Sequence, residues 1–74
     1  MAFIDDLRAI LSAMPQTAEQ LADALYDMGY STSRHGCYRE TVRWLNAMLK
    51  VGEVLKTGRG SSAHPYVWEM RVKE

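Results

Sequence analysis

The sequence lacks a second cysteine, a net charge and a long hydrophobic run. Its one cysteine, Cys37, excludes an internal disulfide. Nine lysines and arginines balance nine aspartates and glutamates, which argues against a protein that coats nucleic acid by bulk charge alone. No apolar run approaches ~18 residues, the length of a membrane-spanning helix, and no basic-then-apolar leader opens the chain. We therefore expect a protein without membrane contact, located in the cytoplasm.

The chain is short enough for one domain, over residues 1–74. A domain of this size buries only about 60% of the surface that its unfolded chain exposes, so a partner or a second copy would add stability. The sequence has no Ser-His-Asp or Cys-His arrangement in a recognisable context, and too little chain to enclose a substrate. We expect no enzymatic activity, no cofactor and no small-molecule substrate.

Charge is distributed unevenly along this neutral chain. Residues 1–29 contain five acids and one arginine, whereas residues 30–74 contain eight bases and four acids. Such a chain can present one attractive face to a polyanion, although chance would also produce this imbalance in some chains of this size.

Hydrophobic periodicity predicts two helices before residue 30, at about residues 3–14 and 18–28. The proline that follows the first helix ends it. Thr17 and Gln20 have the spacing of a capping box at the start of the second helix, and Gly29 ends it in the left-handed conformation. The predicted apolar positions are Phe3, Ile4, Leu7, Ile10, Leu11, Met14, Ala18, Leu21, Ala22, Leu25 and Met28.

A third helix is predicted at about residues 34–51, and a β-hairpin at about residues 53–72. From Glu53 onward the apolar period changes from that of a helix to two, which is typical of strands, and a glycine-rich loop separates the two strand-like runs. The predicted apolar positions are Tyr38, Val42, Leu45 and Leu49 in the helix and Tyr66, Trp68, Met70 and Val72 in the second strand.

Three short helices followed by a hairpin resemble the winged helix-turn-helix family of bacterial and phage DNA-binding domains, over nearly the whole chain. Residues 41–60, TVRWLNAMLKVGEVLKTGRG, are similar to a recognition helix, its glycine stop and a wing. The resemblance implies an α+β, mainly α, fold in which three helices precede a C-terminal two-stranded hairpin, the wing. It also implies a transcriptional regulator or an accessory factor that binds double-stranded DNA.

Polar side chains on the third helix indicate which face would contact DNA. At about 100° per residue, four of them fall within a sector of roughly 60° that points away from the predicted core. These four are Arg39, Arg43, Asn46 and Lys50. Arginine can bridge guanine O6 and N7, asparagine can pair with adenine, and lysine can bind phosphate. We predict base contacts by Arg39 and Arg43, which lie nearer the N-terminal end of the helix. The other candidates on this helix are Ser33, Arg34, His35, Asn46 and Lys50. The alternative is an ordinary solvated helix face.

The hairpin adds two candidates, Lys56 and Arg59. Gly58 and Gly60 flank Arg59, so the backbone there could approach a phosphate or enter the minor groove. The alternative is an ordinary exposed turn. No helix follows these glycines, so they do not form a nucleotide-binding loop of the kind that holds phosphates at a helix N-terminus.

Three potential metal ligands, His35, Cys37 and His64, match no standard zinc spacing, and we expect no metal site. A lone cysteine is more often a small packing residue than a redox sensor, which would need exposure and a lowered pKa.

These observations favour sequence-specific DNA binding. One module of this kind contacts only about 600–1,000 Å² of surface, so we expect a homodimer or a protein partner, with the acidic first helix as the contact. Two alternatives stay open: a winged-helix module for protein–protein interaction, and a small RNA-associated or inhibitory protein that uses the same basic face.

Overall fold

Three helices and a small antiparallel sheet make up the fold, which a computed structural model describes for residues 3–71. The elements are α1 (Phe3–Ala13), β1 (Gln16–Thr17), α2 (Ala18–Asp27), α3 (Arg34–Lys50), β2 (Val54–Thr57) and β3 (Val67–Met70). The predicted α+β, mainly helical class is confirmed, and each helix ends within one residue of its predicted bounds. Val72, predicted to share the apolar face of the second strand, lies outside the described residues.

The sheet contains a strand that the sequence analysis did not predict. β3 lies in the centre and pairs antiparallel with β2 on one side and with β1 on the other. In this register Trp68 is opposite Lys56 of β2 and Gln16 of β1. Because β1 leads directly into α2, this pairing ties the hairpin to the start of that helix.

Local hydrogen bonds explain where the helices begin and end. The capping box is formed as predicted: the Thr17 hydroxyl accepts from the Gln20 amide at 3.2 Å, and the Gln20 side chain accepts from the Thr17 amide at 3.0 Å. At the other end of α2, Gly29 has a φ of +89° and its N–H donates to the Tyr26 carbonyl. At the end of α3, Gly52 takes a φ of +79°, which turns the chain directly into β2.

The core lies where α1, α2 and α3 meet the inner face of the sheet. Its buried members are Leu7, Leu11, Leu21, Leu25, Cys37, Leu45, Met48, Val54 and Trp68. Met14 and Met28, predicted on apolar helix faces, are 59% and 54% exposed. Both lie at helix ends, beyond the packed turns.

The predicted apolar stripe of α3 is wrong in its direction. Only Leu45 of that stripe is fully buried, whereas Tyr38 and Leu49 are 38% and 37% exposed. The side of the helix that faces the core instead carries two small residues, Cys37 and Thr41, together with Leu45 and Met48. Small side chains let α3 approach α2 closely, with the Cys37 Sγ 3.4 Å from the Ala22 carbonyl oxygen. The Thr41 hydroxyl donates to the Cys37 carbonyl at 2.8 Å, which removes the cost of burying it.

Polar contacts hold α1 to the rest of the molecule. The Arg8 guanidinium binds both carboxylate oxygens of Glu53, the residue directly before β2. The Tyr30 hydroxyl donates to Asp6, and the Tyr30 ring meets that of Phe3 edge-on at 5.2 Å. These contacts connect α1 to the α2–α3 connection and to the start of the hairpin.

Candidate nucleic-acid interface

One side of α3 carries exposed polar residues directly opposite the core. We call this side the basic face and define it as Arg39, Arg43, Asn46 and Lys50, all of which are exposed. At about 100° per residue, the mean direction of the basic face is roughly 180° from that of the four buried residues of α3. With a rise of about 1.5 Å per residue, it extends along about 16 Å of the helix. Because α3 is rotated relative to the prediction, the basic face points more directly away from the core than the predicted apolar stripe implied.

The basic face contains no carboxylate. The acidic residue of α3 is Glu40, which accepts a hydrogen bond from the Trp44 indole at 3.1 Å and lies roughly 90° around the helix from the mean direction of this face. Among residues 3–71, Arg39, Arg43 and Lys50 have no ion-pair partner. Their charge is therefore available to an external anion.

The candidates before the basic face have structural contacts of their own. Ser33 caps α3, because its hydroxyl accepts from the Gly36 amide at 3.1 Å. Arg34 donates to Asp23 at 3.0 Å, and its guanidinium lies 4.9 Å from the centre of the Tyr26 ring. His35 is exposed in the first turn of α3. Of these three residues, only His35 adds an uncommitted side chain beside the basic face.

The two hairpin candidates lie in different environments. Arg59 is exposed in the loop between β2 and β3. Lys56 is also exposed, but its ammonium lies against two rings, 4.0 Å from the centre of the Tyr66 ring and 5.1 Å from that of Trp68. Both side chains are thus open to a ligand, Arg59 at the tip of the hairpin and Lys56 in the space that it shares with Asn46 of the basic face.

The loop that carries Arg59 is closed on itself. The backbone amides of Arg59, Gly60 and Ser61 all donate to the His64 carbonyl oxygen, at 3.1, 3.0 and 3.3 Å. These amides point into the loop, so a phosphate would meet the Arg59 side chain and not the backbone. The flanking glycines allow the loop to take this conformation, because Gly58 and Gly60 have φ values of +101° and +77°.

A groove that was not predicted from the sequence separates α3 from the hairpin. Its volume is about 550 Å³. It is lined by Tyr38, Val42 and Asn46 of α3, by Thr17, Ala18 and Glu19 at the start of α2, and by Lys56, Gly60, Ser61, Ser62, Pro65, Tyr66 and Trp68 of the hairpin. The predicted helix rotation placed Tyr38 and Val42 in the core, which left no open space between α3 and the hairpin. The small residues at 37 and 41 were the sequence signal for the correct rotation.

Cys37 is a packing residue in this structure. It is 1% exposed, and burial raises the pKa of its thiol, which disfavours the reactive thiolate. Within residues 3–71, no three His, Cys, Asp or Glu side chains are grouped so as to hold a metal ion. Over the same residues, no helix combines the length and the apolar character needed to cross a membrane.

Comparisons with known proteins provide no family assignment. The chain matches no protein-family model, no curated protein and no solved structure.

Proposed function

We propose that the protein binds double-stranded DNA in a sequence-specific manner as a winged helix-turn-helix protein, acting in the cytoplasm as a transcriptional regulator or accessory factor. In this proposal α3 enters the major groove with its basic face toward the base edges. The hairpin is the wing, and Arg59 contacts the phosphate backbone or the minor groove beside it.

The observation that carries the proposal is the composition of the basic face. Arg39 and Arg43 offer planar guanidinium forks, which match guanine O6 and N7 and are not already engaged by a carboxylate within the described chain. Asn46 offers the amide that pairs with adenine, and Lys50 offers a phosphate contact. A helix diameter of about 10–12 Å fits the major groove, which is about 12 Å wide.

The expected homodimer contact through α1 stays a prediction. Leu7 and Leu11, which belong to the apolar stripe of α1, are buried within one copy of the chain. A dimer contact would therefore use the remaining surface of α1, which includes the exposed Asp5, together with the exposed Met14 that follows the helix.

Selection of binding sites from randomised duplexes of about 20 base pairs tests the proposal. We expect enrichment of a defined sequence that the parent protein binds more tightly than a scrambled duplex of the same composition, at near-physiological salt. Equal binding to both duplexes would contradict sequence-specific recognition, and no binding to either would contradict DNA binding altogether.

A protein-binding module is the second candidate. It is favoured by the zero net charge and by three exposed apolar side chains around the end of α3 and the start of the hairpin, Leu49, Val51 and Leu55. A DNA-binding face does not need these side chains, whereas a protein interface gains from burying them. Under this candidate, the duplex selection enriches no sequence, and the Val51→Asp variant loses its partner.

A further inference from the structure

We propose that the groove between α3 and the hairpin binds an unpaired nucleotide, with the base on Tyr38 and the phosphate at Lys56. This site is distinct from the arginines of the basic face. It goes beyond the proposed function and does not require that α3 recognises a duplex.

The hairpin wall of the groove is preformed. A Cβ atom at Gly60 would lie 2.5 Å from the Tyr66 ring, and one at Gly58 would lie 2.4 Å from the Pro65 carbonyl oxygen. Both glycines also have positive φ values, so only glycine fits there without strain. Together with the three amides on the His64 carbonyl, these contacts fix the loop that forms this wall. A ligand that enters the groove therefore orders little of the loop, which favours binding.

Tyr38 provides an open aromatic surface. It is 38% exposed and lines the groove from α3. Among the described residues it has no hydrogen bond, ring contact or cation–π contact. The other exposed tyrosine of the groove, Tyr66, already contacts Lys56 and is closely approached by Gly60. A planar base that stacks on an aromatic ring is the ligand that such a surface suits, whatever the base.

Lys56 provides the positive charge. It is the single cationic residue among those that line the groove in the described chain. The rings of Tyr66 and Trp68 hold its ammonium in place, and no carboxylate in residues 3–71 pairs with it. Ser61 and Ser62 line the same space, and each carries a hydroxyl that can donate. A phosphate is the anion that an ammonium and hydroxyl donors suit.

The groove also holds groups that could distinguish one base from another. Asn46 offers both a donor and an acceptor, and the Glu19 carboxylate offers acceptors alone. Cytosine and adenine carry an exocyclic amino group that such acceptors bind, whereas thymine does not. We therefore expect cytosine or adenine to bind more tightly than thymine. The volume of about 550 Å³ lies within the range of about 300–1,000 Å³ of small-ligand sites.

The nucleotide could be free or part of a single strand, and titrations of the full chain followed by NMR distinguish these sources. The probes are deoxycytidine monophosphate, single-stranded hexamers of deoxycytidine and of thymidine, and a duplex. We expect the Tyr38 ring and the Lys56 side-chain signals to shift with the cytosine probes, and the cytosine hexamer to bind more tightly than the thymidine hexamer.

Two pairs of variants test the roles of the residues. Tyr38→Ala should bind the cytosine hexamer about tenfold more weakly than the parent, whereas Tyr38→Phe, which keeps the ring, should bind as the parent does. Lys56→Gln should weaken binding several-fold, and Arg71→Gln, which removes one charge outside the groove, should have a smaller effect. Dispersed amide signals in every variant would establish that it is folded.

Each outcome decides the proposal. Shifts with the monophosphate support a site for an isolated nucleotide, and shifts with the hexamer alone support a site for a strand. Unchanged Tyr38 and Lys56 signals with every single-stranded probe overturn the proposal, and so does parent-like binding by Tyr38→Ala. Groove binding without duplex binding would contradict the proposed function alone, and duplex binding without groove binding would contradict this inference alone.

Discussion

The arginines of α1 and of the start of α3 differ in their partners from those of the basic face. Arg8 binds Glu53 and Arg34 binds Asp23, so both paired arginines connect one part of the fold to another. Arg39 and Arg43, on the basic face, have no carboxylate partner within residues 3–71. Tertiary partners, and not residue type, separate arginines that hold the fold from arginines that are available to a ligand.

Several acids of the chain also have partners within the fold. Most of them precede residue 30, and several lie in α1 or α2 beside the groups that they bind, such as Asp6 beside Tyr30. The neutral net charge of the chain therefore hides a basic surface. An unpaired guanidinium remains hydrated until a ligand replaces that water, which favours a polyanion over an apolar partner.

The largest effect is expected for the double variant Arg39→Ala/Arg43→Ala. Each substitution should cost about 1–3 kcal/mol on the selected duplex, so the double variant should bind it more than about 30-fold more weakly. Its thermal midpoint should stay close to that of the parent, because neither side chain has a partner in the described structure. Fluorescence anisotropy and thermal melting measure the two quantities.

The matched control for that variant is Arg34→Ala/Arg71→Ala, which also removes two positive charges. We expect it to lose less affinity for the selected duplex. An equal loss would mean that net charge, and not the basic face, governs binding, and the comparison would fail.

The paired arginines should affect stability, and their removal should weaken DNA binding less than removal of Arg39 and Arg43. Arg8→Gln should lower the thermal midpoint more than Arg34→Gln does, because the Arg8–Glu53 pair is less exposed than the Arg34–Asp23 pair. Combining Arg8→Gln with Glu53→Gln in a double-mutant cycle measures the coupling directly. If the two single substitutions add without coupling, this pair does not hold α1 to the hairpin.

A smaller effect is expected for Arg59→Ala in the wing loop. It should weaken binding to selected and scrambled duplexes to the same extent, because phosphate contacts carry no sequence information. The slope of log affinity against log salt should become shallower by about 0.9 or less. An unchanged slope in the anisotropy titrations would remove the wing from the contact surface.

The smallest effect concerns the pH dependence of stability. The hydrogen bond to Asp6 raises the pKa of the Tyr30 phenol above its ordinary value of about 10. The protonated phenol therefore stabilises the folded state below about pH 10, and this contribution is lost as the pH rises through the folded pKa. The difference in thermal midpoint between the parent and Tyr30→Phe should shrink above about pH 10. A difference that stays constant through that range would show that the Tyr30–Asp6 contact adds nothing to stability.

Features that depend on neighbouring residues were predictable from the sequence. The Thr17–Gln20 capping box and the glycine stops at 29 and 52 involve atoms a few residues apart, so their spacing is enough to predict them. The basic face was also predicted, because its four residues follow helical spacing whatever the helix packs against.

Features set by distant contacts were not predictable. β1 has two residues, too few to show an alternating pattern, and it forms only because β3 lies beside it. The rotation of α3 differs from the predicted one by about 75°, since close packing on α2 favours Cys37 and Thr41 over larger apolar residues. The groove and the position of Lys56 depend on this rotation and on the fold of the hairpin loop.

The central claim is that the basic face and the loop that carries Arg59, and not the paired arginines Arg8 and Arg34, contact DNA. Mapping backbone amide shifts of the labelled protein with the selected duplex tests it most directly. The account predicts that the largest shifts fall on residues 39–50 and 58–61. Shifts centred on α1, or unchanged amides in α3 while the duplex is bound, would contradict it.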